Sequence, residues 1–193
     1  MNEMVRMTVV LTGLATIAGG VLAAVHTGTA DRITAQQLEF VKGPAIKAIM
    51  ADTTNNPVDD YFKLPVGDEE KTFFVGSYES GATDVAFEEF GTGFGGEIGV
   101  MVGIDLEDDT VLGAAVTVHS ETPGLGAKTK NDQAFVNQFK GLPVTANVAV
   151  TQDGGKIDAI SGATITSRAV CEAIAESLER YQALKPRLKQ NIE

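Results

Sequence analysis

The chain has 193 residues, of which 44% are hydrophobic, 21% charged and 6% aromatic. That composition is globular and excludes collagen-like and disordered readings. A formal net charge of -11 and a pI near 4.6 oppose phosphate backbones and anionic lipid headgroups, so no nucleic-acid partner and no polybasic membrane patch is expected. The single cysteine, Cys171, excludes an internal disulfide, a Cys-based zinc site and an iron–sulfur cluster. No CxxCH occurs, which excludes covalent c-type haem. With only His26 and His119, no metal site is expected.

From the N-terminus, Met7 to Val25 runs 19 residues without a charge. As a helix this segment covers roughly 28 Å, close to the hydrocarbon thickness of a bilayer. Arg6 precedes it and favours a cytoplasmic N-terminus, leaving the acidic remainder on the extracytoplasmic side of the inner membrane. A cleaved signal peptide is the alternative, since Gly28 and Ala30 form a small-x-small site before Asp31. The length of the apolar run favours a retained anchor, and the lack of a nearby cysteine excludes a lipoprotein. Thr8, Thr12, Thr16, Gly20 and Ala24 recur every four residues and line one helix face, which suits a packed intramembrane partner.

Asp31 is expected to cap a helix carrying Ile33, Leu38, Phe40 and Val41, interrupted at Gly43-Pro44. Ile46, Ile49 and Met50 fit a further turn or two, and residues 51–60 read as loop. Strands are predicted at Thr72–Tyr78, Val85–Phe90, Ile98–Asp105 and Val111–Val118, the last two joined by the acidic turn Glu107-Asp108-Asp109. A short helix fits Asp132–Phe139. Val148–Thr151 and Lys156–Ile160 flank Asp153-Gly154-Gly155, a hairpin signal. The spacing of Val170, Ile174, Leu178 and Tyr181 predicts an amphipathic last helix, expected to end at Pro186, with Cys171 an idle thiol beside the stripe. The fold class is α+β: one transmembrane helix, then one domain with a mainly antiparallel sheet and flanking helices. The organisation reads as residues 1–6 cytoplasmic, 7–25 transmembrane, 26–60 helical linker, 61–185 domain and 186–193 tail.

The stretch Asp158 to Ser167 reads DAISGATITS. A strand-like run ends at Ile160, a small-residue turn follows, and a helix begins. A helix N-terminus offers free backbone N–H groups and the positive end of a dipole, which suits a phosphate. Gly162 allows a positive φ, and Ser161, Thr164, Thr166 and Ser167 supply hydroxyls. On these grounds alone, a simple helix cap by Ser161 or Thr164 is the stronger reading.

Asp158-Ala159-Ile160-Ser161-Gly162-Ala163-Thr164 resembles the flavinylation signature D-x-x-[ST]-G-A-T of FMN-binding domains. The resemblance implies FMN esterified through its phosphate to Thr164 by a separate, Mg²⁺-dependent flavin transferase, with Asp158 part of the recognised signature. Asp158, Ser161, Gly162 and Ala163 would shape the phosphate site. SGAT occurs a second time at Ser80–Thr83, but Ser77 stands six residues before Thr83 where the signature has an acid. A strand-like run follows Thr83, so Thr164 is assigned and Thr83 rejected.

His119-Ser120-Glu121-Thr122-Pro123-Gly124-Leu125-Gly126 is similar to the H-x-E-T-P-G-L-G segment of Rnf electron-transport G subunits and of the related sodium-translocating NADH:quinone reductase C subunits. The resemblance implies a loop against the flavin ring. Gly124 and Gly126 would admit backbone amides, Leu125 would pack on the ring, and Glu121 and Thr122 would hydrogen-bond or orient the loop. Read from the residues, the same stretch is a Pro-Gly turn between strand and helix. The chain departs from the family at Gly93-Phe94-Gly95-Gly96-Glu97-Ile98, where Glu97 replaces a proline. Gly91-x-Gly93-x-x-Gly96 matches GxGxxG formally, but a strand-like run follows instead of a helix, which excludes a dinucleotide site.

The function implied is a membrane-anchored electron carrier with covalent FMN. It would be one subunit of a redox-driven ion translocase coupling ferredoxin and NAD to sodium or proton movement. Its partners would be the other membrane and redox subunits, and it needs no catalytic acid or base. Two alternatives are an anchored non-redox binding or assembly module whose SGAT turn is only a helix cap, and a standalone flavin-linked reductase.

Overall fold

A computed structural model describes residues 2–67 and 69–192. The chain divides into two units, Met1–Phe40 and Val41–Glu193.

The first unit is the helix α1, Glu3–Gln37. Its segment Glu3–Ala30 has a mean hydropathy of 2.0, long and apolar enough to cross a membrane. The hydroxyls of Thr8 and Thr16 donate to the carbonyls of Met4 and Thr12 at 2.9 and 2.8 Å, so these two hydroxyls on the small-residue face are satisfied within the helix. No new helix starts at Asp31, contrary to expectation. Its side chain lies outside the described set, and the backbone passes through that position as continuous helix. The interruption instead takes the form of a π-helical turn, Leu38–Lys42, followed by α2, Gly43–Ile49. Pro44 explains the wider turn, because its missing N–H and its ring are incompatible with a regular bond to the carbonyl four residues earlier.

The second unit is built on a five-stranded sheet in the order β1-β2-β3-β4-β5, with every pair antiparallel. The strands are β1 Tyr61–Val66, β2 Glu69–Ser77, β3 Thr83–Thr92, β4 Glu97–Asp105 and β5 Thr110–Val116. Four of these match the predicted strands; β1 was not foreseen. It is an edge strand whose only buried residue is Leu64, and its Pro65 is tolerated because an edge leaves one backbone side unpaired.

Both faces of the sheet are covered. Ile98 to Ile104 are all buried, which is why β4 reads as a continuous apolar run. On one face lies α5, Thr164–Ile192, with the foreseen stripe Val170, Ile174, Leu178 and Tyr181 fully in the core. On the other lies α2, so close that a Cβ on Gly103 would fall 2.2 Å from Ile49 Cγ2. Burying a side chain the size of Ile46 or Met50 there is worth about 2 kcal/mol.

Two further expectations fail. The helix does not end at Pro186 but continues to Ile192, so residues after Pro186 are helix rather than tail. Proline removes one backbone bond, and the burial of Leu184 and Leu188 in the core offsets that loss. The Asp153-Gly154-Gly155 segment is not a hairpin. Thr151–Asp153 form a 3-10 turn closed by Gly154 at φ 82°, and Val150 and Ile157 meet in an isolated parallel bridge. The returning chain passes so near Ala149 that Gly155 has no room for a Cβ. The predicted helix at Asp132–Phe139 forms as α4, Gln133–Val136, running into a 3-10 turn, Asn137–Phe139. Asp132 Oδ1 caps it by accepting the N–H groups of Ala134 and Phe135 at 3.0 and 3.2 Å. A shorter helix, α3, Lys128–Asn131, precedes it.

Candidate functional site

The site is built at the first turn of α5. The chain turns at Gly162, φ 79°, and Ala163 N–H donates to Ile160 O at 2.9 Å. The helix then starts with Ser167 N–H donating to Ala163 O at 2.9 Å. Among the described residues, the N–H groups of Thr164, Ile165 and Thr166 find no acceptor, as the geometry of a helix start requires. No acidic residue occupies this turn.

The four hydroxyls of the stretch fall into two classes. Ser167 is fully buried; its hydroxyl donates to Ala163 O at 3.0 Å and accepts the Ile160 N–H at 3.1 Å. Thr166 is 2% exposed, and its hydroxyl donates to Glu121 Oε2 at 2.6 Å. By contrast Thr164 is half-buried and Ser161 exposed, and neither hydroxyl has a partner among the described residues. The turn therefore presents the Thr164 hydroxyl beside open N–H groups, which suits a phosphate.

The loop after β5 meets this turn. Glu121 is 6% exposed. Its Oε1 accepts the Gly95 N–H at 2.8 Å, and its Oε2 accepts the Thr166 hydroxyl. Three distant segments thus converge on one carboxylate. Space around it is tight: a Cβ on Gly126 would lie 2.4 Å from Oε2, and one on Gly93 2.5 Å from Oε1. Leu125 reaches the turn directly, its Cδ2 lying 3.5 Å from where a Cβ on Gly162 would stand. Thr122 O accepts the N–H groups of Leu125 and Ala127 at 3.2 and 3.3 Å, closing the loop around Gly124 at φ 77°. The side chain of Thr122 points to solvent.

Of the residues named from sequence, the structure gathers Glu121, Leu125, Gly126, Gly162, Ala163 and Thr164. Gly124 and Thr122 lie on the exposed outer loop, and Ser161 on the exposed shoulder of the turn. Asp158 stands apart. Its backbone is clamped by Gln138, with its N–H donating to Oε1 at 2.7 Å and its carbonyl accepting from Nε2 at 3.2 Å, while its side chain faces solvent. His119 Nδ1 accepts the Glu121 N–H at 3.4 Å, and no metal-binding cluster exists among the described residues. The second SGAT lies in the β2–β3 turn, where Thr83 begins a strand.

Sequence reasoning named Thr166 only as one of four hydroxyls and the glycine turn before β4 only as a departure from the family, and joined neither to Glu121. The signal was the alternation Gly91, Gly93, Gly95. Each faces a neighbour too close for a side chain: Ala169 O, Glu121 Oε1 and Ser120 O, at 2.0, 2.5 and 2.2 Å from an added Cβ. Between them Phe94 stays 73% exposed, and Leu125 and Ile165 are 47% and 49% exposed. Two other charged clusters belong to the scaffold: buried Glu89 pairs with Lys71 and Arg180, and Glu88 with Lys42 at 2.7 Å.

These residues fit a phosphorylated cofactor with a planar ring: a free hydroxyl at an open helix start, a glycine cradle, and apolar side chains around it. The profile of the FMN-binding domain matches residues 93–179, which contain the whole site except Gly91. The G subunit of an ion-translocating oxidoreductase complex from Methanosarcina acetivorans is 33% identical over 189 residues, covering 94% of this chain and 96% of the relative. The corresponding protein from Pseudomonas aeruginosa is 31% identical over 200 residues, covering 97% and 92%. Among solved structures, the C subunit of the Na⁺-translocating NADH-quinone reductase of Parabacteroides distasonis is similar, with a TM-score of 0.52 and 31% identity over 60% of this chain and 63% of that one. With the two relatives spanning nearly its full length, the chain belongs to the family of G subunits of Rnf-type ion-translocating oxidoreductase complexes.

Proposed function

We propose that this protein is a membrane-anchored electron carrier whose FMN is esterified to Thr164, acting inside an ion-translocating oxidoreductase complex. The observation that carries the reading is the state of the first turn of α5. Thr166 and Ser167 spend their hydroxyls inside the protein, whereas the Thr164 hydroxyl and the N–H groups beside it have no partner among the described residues.

When bound, FMN supplies one- and two-electron redox chemistry; the chain supplies attachment, orientation and solvent control. Thr164 Oγ1 would form the phosphoester with the flavin phosphorus of an activated flavin nucleotide supplied by the transferase. The P–O bond to that nucleotide's leaving phosphate would break as the group departs with the Thr164 proton, so the chain gains the mass of FMN less one water. The N–H groups of Thr164, Ile165 and Thr166 would face the phosphate, and the dipole of a 29-residue helix would favour its charge. The exposed backbone at Ser161 and Gly162 leaves that phosphate accessible to a flavin transferase. Asp158, held by Gln138 with its side chain outward, would serve recognition by that enzyme rather than contact with the flavin. Leu125, beside Gly162, would cover one side of the ring, with Thr122 and Gly124 on the outer rim of the loop.

The apolar helix α1 would anchor the domain as a single span, with the domain on the extracytoplasmic side following Arg6. Its partners would be the other membrane and redox subunits, and the covalent tether would prevent loss of FMN outside the cytoplasm.

The test is intact and peptide mass spectrometry of the full chain coexpressed with a flavin transferase. An FMN adduct mapped to Thr164 and absent from Thr164→Val supports the reading. No adduct, with the transferase active on a control substrate, would turn it towards an anchored binding module.

A further inference from the structure

We propose that Glu121 is a positioning residue that ties the ring-side loop and the glycine turn to the helix carrying Thr164, so that flavin attachment and flavin environment depend on it without its touching the flavin. This inference rests on the flavin reading above.

Three observations carry it. First, the carboxylate is buried and both oxygens are occupied: Oε1 by the Gly95 N–H at 2.8 Å and Oε2 by the Thr166 hydroxyl at 2.6 Å. Each oxygen thus already holds a donor from another segment of the protein. Second, its partners are remote in sequence, separated by 26 and 45 residues. The bonds therefore join segments that the chain does not otherwise connect locally. Third, the surroundings accommodate the carboxylate, since side chains at Gly93 or Gly126 would collide with its oxygens.

The consequence follows from the cost of buried polar groups. Removing the carboxylate strands the buried Thr166 hydroxyl and takes the acceptor from the Gly95 N–H, and losing these charge-assisted bonds weakens the contacts they serve by a factor of about ten. Thr166 sits two positions beyond Thr164 in the same helical turn. Gly95 adjoins exposed Phe94, and Glu121 itself leads into Thr122–Gly126. Loosening the carboxylate thus loosens the attachment turn and its apolar surroundings together.

The test compares full chains, with and without flavin transferase. In unloaded protein, Glu121→Ala and Thr166→Val are expected to speed hydrogen exchange about tenfold or more at amides of 93–96 and 122–126. With transferase, the same variants should slow adduct formation at Thr164 and move the flavin midpoint potential. Glu121→Gln restores both bonds, because its amide oxygen accepts from Gly95 and its amide nitrogen donates to the Thr166 oxygen. Thr166→Ser likewise restores the donor. The double variant Glu121→Ala/Thr166→Val should be no worse than the more severe single variant.

Unchanged exchange and adduct rate in Glu121→Ala would overturn the proposal. Equal damage from Glu121→Gln and Glu121→Ala would also overturn it, by requiring the carboxylate itself. If Glu121→Ala fails to fold, Thr166→Val against Thr166→Ser decides by the same readouts. Accelerated exchange in a chain whose wild type accepts no flavin would support the strap and sink the flavin reading instead.

Discussion

The Ser167 hydroxyl accepts the Ile160 N–H at 3.1 Å, closing the turn that precedes α5. Because Ser167 also donates to Ala163 O, its oxygen is committed to the scaffold, and within the first turn of α5 the hydroxyl without a partner among the described residues is that of Thr164. Ser167→Ala is therefore expected to cost about 1–2 kcal/mol, since it leaves a backbone donor without its acceptor. Thr164→Val should change stability by less than about 0.5 kcal/mol yet abolish the FMN adduct. Denaturant melts and intact mass on both variants separate the two roles.

Thr83→Val should leave flavin attachment unchanged. Thr83 opens β3 opposite Ser77, and a β-branched replacement suits a strand. Loss of the adduct in this variant, measured by peptide mass spectrometry, would transfer the assignment to the first SGAT copy.

Leu125→Asp should lower the flavin midpoint potential while retaining the adduct. The side chain stands beside Gly162, and a negative charge placed there opposes addition of an electron to the ring. Redox titration of the loaded protein reads this directly; an unchanged potential would remove the loop from the ring site.

Asp84 gives a pH signature. It is 2% exposed, in β3 opposite Asp105. Burial pushes its carboxyl from 3.8 up to about 6; the neighbouring Tyr78 hydroxyl opposes the shift, and Asp105 and Glu107 add to it. The folded protein holds this proton more tightly than the unfolded chain, so the contribution is full below about pH 4 and lost as pH rises through about 6. Asp84→Asn should stabilise the domain by about 1–3 kcal/mol at pH 7.5, and the gain should vanish near pH 4. Urea titrations at the two pH values check it.

Cys171 should be inert in the native protein. Burial pushes its thiol up to about 12, with the negative Asp153 adding to the effect. A maleimide at pH 7.5 should label it only after unfolding; rapid native labelling would show a thiol more accessible than this packing allows.

Sequence alone determined the parts whose signals are local. The apolar run of α1, the central strands and the stripe of α5 depend on neighbouring residues and on periodicity. That the second SGAT copy leads into a helix and the first into a strand was also local. Other features were decided by contacts that neighbouring residues do not encode. Pro186 breaks a helix by propensity, yet core burial of Leu184 and Leu188 carries α5 past it. Asp153-Gly154-Gly155 signals a hairpin, yet close packing on Ala149 folds it into a parallel bridge. Above all, the engagement of Thr166, in contrast to Thr164, emerges only when Glu121, 45 residues before Thr166, comes to meet the helix. A hydroxyl is free or engaged according to which buried acceptor the tertiary fold delivers to it, and spacing along the chain does not contain that information.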